Sequence, residues 1–196
     1  VRSENYVSIA NEESNIRLIA VDWDSNPVPD QTLNIEVIER RWSSTQEQDP
    51  NTGDTVWVSE VEMIPITDGV VTTGADGKAQ FSFTPPNGGT FQISVSTRDE
   101  AGNEVRSSTT MWVADTEYVS WRQDNDSAVE LVPDQTDYSV GDTAKILITS
   151  PYQGTSEALI SIERGDVITV EHITMESNSY IYEFEIEPEY APNIYV

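Results

Sequence analysis

The chain has no cysteine. That excludes disulfides, thiolate zinc sites, cysteine nucleophiles and an internal thioester. It has a single histidine, His172, so imidazole chemistry has one address. Basic residues are scarce: 10 Lys+Arg stand against 35 Asp+Glu, for a formal net charge of −25. Nucleic-acid binding through counterion release needs clustered Lys and Arg, and neither half of this chain is basic. The same deficit removes electrostatic attraction to an anionic membrane surface. No run approaches the roughly 18 apolar residues of a spanning helix. The missing disulfides do not fix the redox compartment, since a domain of about 100 residues is stable without them. The start at Val1-Arg2-Ser3, without Met or a signal peptide, predicts a piece excised from a longer protein.

What is present is a supply of large side chains: 37% hydrophobic residues, with 5 Trp, 8 Tyr and 4 Phe. These suffice for one or two cores, in one or two domains of about 100 residues each. Apolar residues alternate at period two in Ile16/Leu18/Ala20, Leu33/Ile35/Val37, Phe81/Phe83, Phe91/Ile93/Val95, Thr109/Met111/Val113, Ala144/Ile146/Ile148 and Tyr182/Phe184/Ile186. Such alternation marks half-buried strands, with Glu183, Glu185 and Glu187 opposite Tyr182, Phe184 and Ile186 on the wet face. Turn clusters separate the runs: Asp24-Ser25-Asn26-Pro27, Asp68-Gly69, Ala75-Asp76-Gly77, Pro85-Pro86-Asn87-Gly88-Gly89, Ala101-Gly102-Asn103, Val140-Gly141-Asp142 and Arg164-Gly165-Asp166. No helical stripe competes with them. The predicted fold class is all-β, tandem antiparallel immunoglobulin- or fibronectin-like β-sandwiches.

The first sandwich is expected over residues 1–114, with roughly seven or eight strands. Its polar stretch from Ser43 to Asp54 is expected to be a mobile hairpin tip. Residues 115–127 lose the alternation and read as a linker with an aromatic anchor. The second sandwich, 128–196, has room for about six strands. It is expected to be incomplete at its C-terminal end and the less stable half, because a missing strand leaves backbone groups unpaired.

Candidate sites reduce to a few. His172, in Val170-Glu171-His172-Ile173-Thr174, sits in an ordinary strand on the face of Ile168 and Val170, which argues against a nucleophilic triad. Paired carboxylates abound in so acidic a chain, and nothing in their spacing marks the cleft that glycosidase chemistry requires. Asp22/Asp24, Asp49/Asn51/Asp54 and Asp124/Asp126 offer oxygen ligands for calcium, yet none has the spacing of a full calcium loop. Asn125-Asp126-Ser127 is formally a glycosylation sequon. Trp23, Trp112, Tyr118 and Trp121 would make an aromatic sugar platform, or else packing at cores and at a domain junction. The glycine-containing turns lack a following helix and a Lys, so no phosphate cradle is indicated. The expectation is therefore no enzyme, with no catalytic, cofactor-binding or metal-ligating residue and no cofactor.

Several motifs are structural in kind. In Tyr138-Ser139-Val140-Gly141-Asp142, Gly141 is placed to take positive φ at a strand entry. Ser150-Pro151 ends a strand because Pro cannot donate to the ladder. Glu163-Arg164-Gly165-Asp166 is a hairpin turn, and Ala191-Pro192 leads an extended segment. Trp112-Val113, Trp121-Arg122 and Asn125-Asp126 precede Leu131-Val132-Pro133-Asp134-Gln135, Tyr138 to Ala144, Ile148-Thr149-Ser150-Pro151-Tyr152, Ala158 to Gly165 and Tyr190 to Val196.

Taken together, this ordered series resembles the alpha-2-macroglobulin family, particularly its bacterial members. Over residues 1–114 the resemblance rests on Val28-Pro29, Thr73 to Ala79 and Gly89-Thr90-Phe91-Gln92-Ile93. The resemblance implies macroglobulin-like sandwiches forming a scaffold that carries a protease-sensitive bait segment. In many members there is also a Cys-to-Gln thioester, which this cysteine-free chain cannot hold. It implies a non-catalytic scaffold piece of a protease-trapping inhibitor, exported to the periplasm or cell surface. Its partners would be proteases, through the full-length parent, and neighbouring domains of the same chain, with no nucleic acid and no membrane contact by this piece. The alternatives are a bacterial surface adhesin or stalk of tandem immunoglobulin-like domains stiffened by calcium, and a carbohydrate-binding module resting on the tryptophans.

Overall fold

The computed structural model describes residues 1–123 and 128–196. Its strands are β1 (Arg2–Ser3), β2 (Val7–Ile9), β3 (Ser14–Ile19), β4 (Thr32–Gln48), β5 (Thr55–Thr72), β6 (Lys78–Phe83), β7 (Gly89–Arg98), β8 (Glu104–Ala114), β9 (Glu130–Pro133), β10 (Thr143–Thr149), β11 (Ser156–Arg164), β12 (Asp166–Met175) and β13 (Ser179–Glu185). Among the described residues there is no α-helix, only a short 3-10 turn at Pro188–Tyr190. The all-β sandwich architecture read from the alternation is the architecture found.

In the first half a five-stranded sheet, β2-β8-β7-β4-β5, faces a three-stranded sheet, β1-β3-β6. Pairing is antiparallel except for β2, which runs parallel to β8. The alternating residues meet between the sheets: Ile16 and Leu18 of β3 and Phe83 of β6 pack on Leu33, Ile35 and Val37 of β4, Phe91, Ile93 and Val95 of β7, and Met111 and Val113 of β8. Glu39 continues the inward face of β4 and is only 3% exposed. Its carboxylate accepts two hydrogen bonds from the Arg41 guanidinium, at 2.9 Å each. That bidentate pair closes the core at the point where the sheet ends.

Beyond it the structure corrects an expectation. The stretch from Ser43 is not a loose tip, because Ser43–Gln48 pair with Thr55–Glu60 in an unbroken ladder. Only 49–54 form the turn, organised by Asp49 Oδ1 accepting the Asn51 N–H at 2.7 Å. β7 accompanies β4 only as far as Arg40, opposite Thr90. The distal half of the β4–β5 hairpin thus projects past the sandwich as a two-stranded ribbon, a form that is marginal in water without cover. Polarity hid these strands; the cover described below is what a single polar stretch does not reveal.

In the second half β13-β10-β9 form one sheet and β11-β12 a two-stranded one. Ile148, Ile160, Ile162, Ile173, Met175, Tyr182 and Tyr190 fill the space between them. Gly141 takes φ 92°, β10 stops immediately before Ser150-Pro151, and Gly165 separates β11 from β12. The last residues form no strand, but Tyr195 and Glu163 exchange two backbone hydrogen bonds of 2.9 Å. Two tyrosines are tied to acids here. Tyr138 donates to Asp134 at 2.8 Å and Tyr182 to Glu171 at 3.0 Å. Burial first, and then the bond to a carboxylate, pushes both phenols up to about 12.

Two outcomes follow. Phe91→Ala, at a fully buried ring, costs about 3–5 kcal/mol in urea unfolding, whereas Val70→Ala on the exposed edge strand stays within about 0.5 kcal/mol. In a phenolate absorbance titration, two of the eight tyrosines ionise near pH 12 in the native chain and near 10 in denaturant. A raised folded-state value contributes stability fully present below the unfolded value, so the native state loses stability as pH rises from about 10 to 12. Eight tyrosines ionising together near 10 before unfolding would contradict this.

Candidate functional site

The chain's most elaborate polar constellation lies where the two halves meet, along residues 115–123. This stretch lacks alternation because it forms no strand. Its backbone and side chains are instead bonded on both sides. Toward the first half, Asp115 Oδ2 accepts the Gly88 N–H at 2.9 Å, and Ser120 Oγ donates to the Trp42 carbonyl. The Gln123 N–H donates to Ser44 Oγ at 3.3 Å, and Ser59 Oγ donates to the Gln123 carbonyl at 3.0 Å. Ser44 and Ser59 are themselves hydrogen-bonded across the hairpin at 2.8 Å. The stretch is therefore the cover for the projecting ribbon.

Toward the second half it meets the turn between β12 and β13. Asn178, 1% exposed, uses its side-chain amide as a backbone peptide would. Oδ1 accepts the Val119 N–H at 2.9 Å and Nδ2 donates to the Val119 carbonyl at 2.7 Å. The Asn178 carbonyl accepts the Trp121 indole N–H at 3.0 Å and also the Ser150 N–H at 3.0 Å. Ser177 Oγ donates to the Asp115 carbonyl at 3.2 Å. Buried polar groups need such partners, and the two ends of one side-chain amide satisfy both backbone polar groups of one residue.

An apolar cluster surrounds these bonds: Val7, Ala114, Val119, Trp121 and Leu147, with Trp112, Val132 and Ile181 against it. The Trp112 and Trp121 rings lie 5.5 Å apart at 34°. A backbone relay crosses the same region, from Trp112 N–H to the Tyr6 carbonyl at 2.8 Å and from Tyr6 N–H to the Asp134 carbonyl at 3.0 Å. Gly88 is fixed by close approach, since a Cβ there would stand 2.4 Å from Val119 Cγ2 and 2.7 Å from Asp115 Cβ. Beside the cluster a cleft of about 520 Å³ is lined by Arg40, Trp42, Trp112, Trp121, Arg122 and Pro151, among others. The Arg40 and Arg122 guanidiniums stack over the Trp42 ring at 5.2 and 5.5 Å, an attraction of the cation–π kind.

The residues singled out in the sequence are scattered. His172 lies on the outward face of the β11–β12 pair, its side chain 65% exposed and Nε2 3.2 Å from Glu157 Oε2. Trp23 is wholly exposed at a turn and Tyr118 half-exposed, whereas Trp121 is buried, so the aromatics make no common platform. Asp22 spends its oxygens on its own loop: Oδ1 accepts from the N–H of Asp24 at 2.9 Å and of Asn26 at 2.8 Å, and Oδ2 from Asn26 Nδ2 at 3.1 Å. The Asn26 bonds hold its carboxyl below the ordinary value. Asp99 repeats the arrangement with Asn103. Asp124/Asp126 and the sequon at Asn125 lie outside the described residues. Among the described residues no group of three or more His, Cys, Asp or Glu is placed to hold a metal.

Asn178 and Val119 escaped the sequence reading. Two signals pointed to a junction, though not to these two residues: Leu147, apolar between inward Ile146 and Ile148, and Trp112, between inward Met111 and Val113. Apolar residues on both faces of a strand mean burial on both faces. Leu147 is fully buried in the junction, while Ile148 faces the second core and Ile146 is buried on that same side of the strand.

Because the acidic turns are satisfied by their own backbones, millimolar calcium is expected to move the melting temperature by less than about 1 °C. A rise of several degrees, by ligand linkage, would show that these turns bind the ion.

Comparison with known proteins follows the same division. Residues 2–115, more than half of the chain, match bacterial macroglobulin domain 6. Residues 129–196 match the alpha-2-macroglobulin bait region domain, an assignment that the sequence reading did not make. An alpha-2-macroglobulin homolog of Nostoc sp. is 23% identical over 189 residues, 96% of this chain and 10% of the relative. An alpha-2-macroglobulin of Ralstonia nicotianae is 31% identical over 140 residues, 65% of this chain and 8% of the relative. This chain thus spans a tenth or less of the length of either. The native conformation of E. coli alpha-2-macroglobulin, solved by cryo-electron microscopy, has a similar fold, with a TM-score of 0.50 and 16% identity over 92% of this chain and 11% of that one. The chain belongs to the bacterial alpha-2-macroglobulin family.

Proposed function

We propose that this chain is a non-catalytic scaffold piece of a bacterial protease-trapping alpha-2-macroglobulin, with residues 1–114 as one macroglobulin-like sandwich, 115–127 as the linker and 128–196 as a second, incomplete one. The observation that carries the reading is the order of the two family matches, domain 6 followed by a bait region domain, on a chain whose polar chemistry is spent on holding its own parts together. Three of its buried polar residues, Asn178, Asp134 and Glu39, bond to the chain itself. Nothing in that set resembles a nucleophile with its base.

On this reading proteases are the partners of the full-length protein, and the second sandwich is the part that presents or supports the segment they cut. The parent is exported to the periplasm or cell surface, which suits a protein that meets foreign proteases and needs no disulfide. The strong negative charge then serves solubility.

The test uses the parent protein. After incubation with a protease, the parent is expected to be cut and to co-elute with the enzyme on a sizing column, while residues 1–196 alone leave the enzyme uninhibited. A cut parent that leaves the protease fully active and eluting alone would end the trapping reading.

A further inference from the structure

We propose that Asn178 is a latch through which the second half orders the linker and, through the linker, the distal β4–β5 ribbon of the first half. Polar satisfaction is carried across three layers. Asn178 belongs to a turn of the second half, yet both its amide atoms are committed to Val119 and its carbonyl to the Trp121 indole. All three residues are buried, with exposures of 1%, 2% and 4%. Water is therefore not at hand to replace a lost partner, and the penalty falls on the linker.

The linker in turn is what the ribbon rests on. Trp42, Ser44 and Ser59, the points where Ser120 and Gln123 attach, lie beyond Arg40, where β7 no longer supports β4. The ribbon's inward-turning partner of the linker is an aromatic and hydroxyl face, with Trp42 opposite Val61 and Ser44 opposite Ser59. A two-stranded ribbon of this kind holds its register when a third layer covers one face. Gly88 fixes the height of that layer, since there is no space between it and Val119 for even a methyl group.

An amide is required at position 178, rather than a side chain of that size. Val119 offers Asn178 one donor and one acceptor and asparagine matches both; the carbonyl also accepts the Trp121 N–H at 2.9 Å, so the Val119 N–H is the group that loses its partner when the amide is removed. Aspartate, nearly identical in shape, would set a carboxylate oxygen against the Val119 carbonyl. That change also buries a charge, so Asn178→Ala, which removes the amide without adding one, is read beside it.

The test is amide hydrogen exchange on the whole 196-residue chain. Asn178→Ala and Asn178→Asp are each expected to speed exchange by about tenfold or more in residues 119–123, 42–48 and 55–61. The core strand segment 91–95 should keep the exchange of the unmodified chain. Should Asn178→Ala unfold the second half altogether, Trp121→Phe decides, because it removes the indole N–H and leaves a smaller aromatic ring in the cluster. It is expected to speed exchange severalfold in the same three segments. Unchanged exchange in 42–48 and 55–61 in Trp121→Phe, or in an Asn178 variant whose second half stays folded, would overturn the proposal. So would an Asn178→Asp chain that exchanges like the unmodified one.

Discussion

The structure depends on one buried side-chain amide meeting the backbone N–H and C=O of one buried residue. Where Asn178 faces Val119, a side chain of one half supplies the donor and the acceptor that a neighbouring strand would supply inside a sheet. Around that pair every other junction contact finds its place: the Trp121 indole on the Asn178 carbonyl, Leu147 and Val7 against Val119, and Asp115 under Gly88. Buried amides are costly when unpaired and specific when paired. An arrangement in which all of them are paired sets two sandwiches in one orientation where an apolar patch alone would permit several.

The consequence for function is a division of labour. Each half has its own core, built from alternating strands, and each would be recognisable as a sandwich by itself. On the proposed reading as a scaffold piece, what is needed beyond folded domains is a defined relation between them. Inter-domain joints in most chains are polar, small and permissive of motion. Here the connecting stretch is bonded on one side to the projecting hairpin and on the other to the β12–β13 turn. The half that matches the bait region domain is thereby joined to its neighbour through bonds rather than through a slack tether.

Much of this was legible in the residues. The alternation of Leu33/Ile35/Val37, Phe91/Ile93/Val95 and Ala144/Ile146/Ile148 placed strands whose inward faces are the two cores. Turn chemistry at Gly141, Ser150-Pro151 and Gly165 set the strand ends, because backbone freedom and a missing donor act locally. The junction was less legible, since Asn178 in a Glu-Ser-Asn-Ser turn looks like any solvated polar residue. Its burial comes from contacts with residues 57 to 59 positions away, and no local pattern encodes that. The ribbon of β4 and β5 was missed for a related reason. Ser43 to Gln48 are polar on both faces, and they form strand because a partner and a covering linker satisfy them. The calcium readings illustrate the reverse. Oxygen-rich turns at Asp22 and Asp49 invite a cation by composition, whereas their geometry turns those oxygens onto the turn's own N–H groups.

The most direct measurement of the central claim is alignment by nuclear magnetic resonance. Residual dipolar couplings from β3, β4, β7 and β8 give one alignment tensor, and couplings from β10, β11, β12 and β13 give another. The account predicts that the two tensors coincide in magnitude and direction, as for a single rigid body. Tensors of different magnitude would mean that the halves reorient independently, and the joint at Asn178 would then be no joint at all.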